Sequence, residues 1–144
     1  MNAAQRLRVT LTAVLAAGAL LLGTPAVALA QHHPGEEIAT AAKHAGLAAS
    51  VTATRQVHLH LHHVINCLVG TGDPLFDAAA GYPCKGQGDG ALNDVNDAPQ
   101  RYARLEEALH LARVGTRVQA FRPDHNIAVA VKDLLDEAQP SAGS

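Results

Sequence analysis

Four of the six residues from His58 to His63 are histidines (His58, His60, His62 and His63), and Cys67 follows four positions after the last of them. A neutral imidazole carries one nitrogen lone pair and is the commonest metal ligand among side chains. Helix propensity gives no reason to prefer His to Lys, Glu or Gln on a surface, so a cluster this dense points to a metal ion or a haem. It does not name a reaction. The chain holds no Ser nucleophile elbow, no His-Glu-x-x-His motif and no phosphate loop, and it is read as a binding protein rather than an enzyme.

Helical spacing divides the histidines into two sets. Residues four apart sit one above the other, so His58 and His62 form the leading chelating pair. His44 joins their line if the helix runs unbroken from Lys43. His60, His63 and Cys67 occupy another face, with His60 nearest the leucine stripe and expected to be partly buried. The ions expected are copper, zinc and nickel. The haem variant is non-covalent with His axial ligation, because no Cys-x-x-Cys-His attachment motif is present. His110 and His125 are isolated and carry no such expectation. A second site depends on processing: cleavage after Ala30 would leave Gln31, His32 and His33 at the new N-terminus, where an amine, two amide nitrogens and an imidazole can enclose Cu(II) or Ni(II) in a square plane. Cyclisation of Gln31 would remove that amine.

The first thirty residues carry the pattern of a removed signal peptide: Arg6 and Arg8, an apolar run from Val9 to Leu22, and Ala28-Leu29-Ala30 as a small-residue cleavage site. The run is short for a stable membrane span. An exported protein, periplasmic or secreted, is the expectation, with Gln31 to Ser144 forming a single helical domain. Against thirteen acidic residues stand eleven basic ones, of which Arg6 and Arg8 fall in the leader. Nucleic acid is therefore a disfavoured partner, since phosphate binding needs clustered Lys and Arg; a protein partner is not identified. Two cysteines in an exported chain, Cys67 and Cys84, predict a disulfide. The rival reading keeps Cys67 as a thiolate ligand beside His63.

The elements that must hold these residues read as all-α: a small antiparallel bundle of three to four helices, with a long disulfide-tethered loop between the second and third. Ile38, Ala41, Ala42, Ala45, Ala48 and Ala49 recur at helical spacing over 36–53, with Gly46 a weak point. Val57, Leu61, Val64 and Leu68 set the phase of the next helix, which ends at Gly70. This phase overrides the strand-like alternation of 57–62. Whether the two segments hinge near Gly46 to Ser50 or run on is left open. Residues 70–97 are rich in Gly, Pro, Asp and Asn, the residues of turns, and are either tied down by Cys84 over Leu75, Phe76 and Tyr82 or laid as a cover over the histidines. Asp89, Asn93, Asp94, Asn96 and Asp97 lack the ligand order of a calcium-binding loop. Asp97 is expected to cap a third helix with the stripe Ala98, Tyr102, Leu105, Leu109, Ala112 and Thr116; Asp124 is expected to cap a fourth with Ile127, Val131, Leu134 and Ala138. Residues 140–144 read as a frayed tail.

Ala42-Lys43-His44-Ala45-Gly46 and Glu107-Ala108-Leu109-His110-Leu111-Ala112 resemble the Ala- and His-spaced helical units of small His-rich periplasmic metal-binding proteins. The resemblance implies divalent-metal binding. It covers a dozen residues, lacks the regular heptad histidines of that family, and has no counterpart for Val57 through Gly90. The competing reading from a different class is a disulfide-stapled interaction module of the cell envelope with no metal or catalytic role.

Overall fold

The protein is described by a computed structural model covering residues 33–96 and 98–140. The segment 1–30 expected to be a leader, Gln31, His32, the cap assigned to Asp97 and residues 141–144 of the tail lie outside the described residues. Of the tail, Pro140 is exposed and sits beside Gly35.

Every regular element among the described residues is helical: α1 (Pro34–Ser50), α2 (Thr54–Val69), α3 (Ala91–Asp94), α4 (Pro99–Gly115) and α5 (Phe121–Ala138). The four long helices form an antiparallel bundle in which α1 packs between α2 and α5, and α4 packs on the opposite side between the same two. The two alternatives left open for the first half are decided for a hinge. It falls at residues 51–53, just beyond the expected Gly46–Ser50 window, while Gly46 stays inside α1. There its missing Cβ would meet only the aliphatic stem of Lys132. Reversal at this hinge lays α1 against α2, so His44 reaches the α2 histidines across the helix pair rather than along one helix.

Ile38, Ala41, Ala42, Ala45 and Ala48 of α1 and Val57, Leu61, Val64 and Leu68 of α2 are buried as their spacing predicts. Two other phases need correction. On α4 the buried line is Leu105, Ala108, Ala112 and Gly115, whereas Tyr102 is exposed and Leu109 half-buried. α4 offers two apolar lines, and the bundle selects the one with small side chains because they let α2 and α5 approach closely: a Cβ at Gly115 would lie 2.5 Å from Leu61 Cδ1 and 3.1 Å from Ile127 Cγ2. On α5 the helix begins at Phe121, so Asp124 is in its first turn rather than at its cap, with its N–H bonded to the Ala120 carbonyl at 3.2 Å. Pro123 fits there because first-turn N–H groups have no intrahelical acceptor to lose. The buried line becomes Ala128, Val131, Leu135 and Ala138, displacing Ile127 and Leu134 to its edges.

The long connection from Gly70 to α4 contains one turn of helix, α3, that its turn-rich composition does not announce. The Cys67–Cys84 disulfide is formed, with Cα atoms 5.4 Å apart, so Cys67 is not a thiolate ligand. The loop is tied down as the first alternative has it, and it also meets the histidine helix at His63. Leu75, Phe76 and Tyr82 pack against the core, Phe76 and Tyr82 edge to face at 5.2 Å, and residues 77–81 lie over His63.

Candidate metal centre

Three imidazoles converge where α1 crosses α2: His44 from α1, and His60 and His63 from consecutive turns of α2. His44 Nδ1 stands 3.1 Å from His63 Nδ1 and 3.3 Å from His60 Nδ1. One ring nitrogen from each residue lies within 4.8 Å of the others, and all three side chains are half-buried. Ligands at about 2.0–2.1 Å from a tetrahedral zinc are separated by roughly 3.3 Å, so two edges of the triangle already match a coordination sphere. This group could hold a metal ion.

His63 Nε2 is 2.7 Å from the Ala80 carbonyl oxygen, which can only accept, so Nε2 carries the ring's hydrogen and Nδ1 of the neutral ring presents a lone pair to the cluster. His44 Nδ1 has one in-plane position, holding either a hydrogen or a lone pair. It can donate to His63 or accept from His60, but not both. Without an ion, the two contacts are therefore not both full two-centre hydrogen bonds; a cation among the three nitrogens would use all three lone pairs. Burial, then the neighbouring His63, His60 and Lys43, push the His44 pKa down to about 4. Burial, then His63, also lower that of His60. These two rings are thus held in the neutral form that coordination needs.

The other expected ligands stand elsewhere. His58 Nε2 faces the Val118 carbonyl at 2.8 Å and the fully buried carboxylate of Asp124 at 3.3 Å, bridging α2 to the α4–α5 turn. Burial raises the Asp124 pKa, opposed by His58. His62 Nδ1 lies 3.6 Å from Asp77 Oδ2 in the loop. The two members of the i, i+4 pair face two different carboxylates, and neither joins the triad. His33 closes the start of α1, its N–H bonded to the Gln87 carbonyl at 2.9 Å. His110 is exposed on α4, and His125 packs against Phe121 at 5.7 Å.

Two buried polar residues escaped the sequence reading. Asn66, fully buried, grips the loop: its Nδ2 donates to the carbonyls of Asp77 and Gly81, both at 2.7 Å, and its Oδ1 accepts from the Asp77 N–H at 2.8 Å. Its signal was a lone amide in the apolar run Val64 to Val69. Glu37, also fully buried, accepts from the Gly90 N–H at 2.9 Å. Its pKa is raised to about 7 by burial, with the Gly90 hydrogen bond opposing, and further by Asp94 and Asp89. Its phase with Ala41, Ala45 and Ala48 would have revealed it.

Comparison with protein-family models, with characterised proteins and with solved structures finds no match. The chemistry of the site therefore rests on its own geometry.

Proposed function

We propose that this chain is an exported protein, periplasmic or secreted, that binds one transition-metal ion through His44, His60 and His63. The reading is carried by the convergence of three ring nitrogens, one of them fixed as a lone-pair donor by the Ala80 carbonyl. Three neutral nitrogen donors with a further position open suit zinc or copper, whereas the geometry favoured by nickel(II) asks for a square or an octahedral set. Haem is less well accommodated. Its axial imidazoles must stand on opposite sides of a wide plane, yet the His44 and His63 rings are in edge contact at 4.5 Å between centroids. Export is supported by the leader pattern and by the disulfide.

Calorimetric titration of the chain lacking residues 1–30 with Zn(II), Cu(II) and Ni(II) at pH 7.5, and with haem in parallel, tests the reading. One saturable metal site is expected. His44→Gln, His60→Gln and His63→Gln should each weaken it at least about tenfold, with pairs of changes losing less than the sum, as for residues of one coupled site. His110→Gln should change nothing. The reading fails if no ion binds more tightly than to an unrelated His-poor bundle, which would favour the interaction module, or if His58→Gln and His62→Gln abolish binding while the triad variants do not.

A further inference from the structure

Three residues on one side of α2, His63, Asn66 and Cys67, take hold of the same loop, and His62 lies beside it. His62 faces Asp77, His63 meets the Ala80 carbonyl, Asn66 bonds both Asp77 and Gly81, and Cys67 is joined to Cys84. Only one of these contacts touches the metal cluster directly, through His63 Nε2. The Ala80 carbonyl, in turn, is placed by what is fixed on either side of it. Asn66 satisfies the backbone at both ends of the 77–81 turn, and the Asp77 side chain accepts from the Ala79 N–H at 2.9 Å and the Ala80 N–H at 3.4 Å.

We infer that Asn66 is a positioning residue of the metal site: by clamping Asp77 and Gly81 it holds the Ala80 carbonyl on His63 Nε2, which locks His63 in the tautomer whose Nδ1 is free to coordinate. The inference rests on the metal reading for its effect on affinity, but the tautomer can be observed without metal. An imidazole free of this constraint in water distributes its hydrogen between the two nitrogens, and a ring that ligates through Nδ1 must have that nitrogen bare. Hydrogen bonding of the second ring nitrogen to a carbonyl or carboxylate is the usual way in which metal-binding histidines are fixed, and loss of such a partner lowers metal affinity by about 10–100-fold. Asn66 is one step further out. Its hydrogen bonds go to the loop backbone and not to an imidazole, so it acts through the loop.

The test uses the disulfide-bonded chain without residues 1–30, labelled with nitrogen-15, in wild-type form and as Asn66→Ala and Asp77→Ala. Asp77 is only half-buried, so its variant loosens the turn without hollowing the core and serves if Asn66→Ala does not fold. Val131→Ala, in the core on α5, supplies a control of merely lowered stability. Long-range proton–nitrogen spectra of metal-free protein should show His63 as a single Nε2–H tautomer in wild type and in Val131→Ala, and as a mixture in Asn66→Ala. Asp77→Ala should shift the same signals in the same direction. Competition titration with Zn(II) should show about a tenfold or larger loss for Asn66→Ala, a smaller loss for Asp77→Ala and none for Val131→Ala. An unchanged His63 tautomer in the loop variants overturns the inference even if zinc binds. An affinity loss of equal size in Val131→Ala also overturns it, since that marks a general effect of stability. If wild type binds none of Zn(II), Cu(II) and Ni(II), the metal reading falls, and the tautomer in the loop variants still decides whether Asn66 fixes the His63 ring.

Discussion

His44 and Glu37, both on α1 and both titrating far from their ordinary values, act on stability with opposite sign. Glu37 has its pKa raised in the fold from 4.5 to about 7, so the folded protein holds its proton more tightly than the unfolded chain. The stability it contributes is fully present below pH 4.5 and is lost as the pH rises through 7. His44 has its pKa lowered from 6.5 to about 4; its contribution is present above pH 6.5 and is lost as the pH falls through 4. Between these limits the two oppose each other, and the wild-type profile should be flatter than either alone. Glu37→Gln keeps an acceptor for the Gly90 N–H and removes the charge. It should therefore be more stable than wild type above pH 7, by about 1–3 kcal/mol, and lose stability more steeply on acidification. Metal-free His44→Gln should show the converse, holding its stability as the pH falls from 6.5 to 4. Urea unfolding of each from pH 4 to pH 8 reads both effects, and parallel profiles for the two variants would contradict the assignment.

The helices and the loop between α2 and α4 depend on a few close backbone approaches. Gly70 ends α2 at φ +71° and packs against Asp89 and Gly90, itself at φ +111°. A Cβ at Gly90 would lie 2.5 Å from the Val69 carbonyl carbon and 2.6 Å from the Gly70 nitrogen, backbone atoms with little freedom to move. Gly90→Ala combines this overlap with a conformation that L-residues rarely adopt, and should lower stability by at least about 2 kcal/mol. Gly72, exposed with nothing within 4 Å of its Cβ position, is the contrast: Gly72→Ala should lie within about 0.5 kcal/mol of wild type. Chemical denaturation separates the two. A comparable loss for both would mean that the crossing of Gly90 over the end of α2 is not the constraint on this loop.

The bundle core is built from alanine, valine, leucine and isoleucine with no tryptophan, and the disulfide adds a covalent tie between α2 and the only long connection among the described residues. A loop with a sequence separation of 17 corresponds to about 3 kcal/mol in the chain-entropy view of disulfides. Reduction should therefore lower the melting temperature by on the order of 10 °C or more. Calorimetry with and without dithiothreitol measures this, and an unchanged melting temperature would show that the loop is held by Asn66 and the core contacts alone. No helix among the described residues is long and apolar enough to cross a membrane.

The helical class, the α2 phase and the pairing of Cys67 with Cys84 were legible in the chain because each follows from local periodicity or from a count of two. The identity of the histidine group was not. Spacing places His58 and His62 on one line and His60 and His63 on another, and both lines are equally good on an isolated helix. The difference between them comes from what stands opposite: the Val118 carbonyl and Asp124 face His58, Asp77 lies beside His62, and the hinge at residues 51–53 brings His44 onto the second line. The same limit explains the α4 and α5 stripes, where two apolar lines compete and the neighbouring helices decide, on α4 in favour of the line with the smaller residues. Asn66 and Glu37 are buried polar groups whose partners are loop carbonyls and N–H groups 11 to 53 residues away. A periodic pattern describes one element at a time, whereas a coordination cluster is a relation between elements, set by how their buried faces turn toward each other.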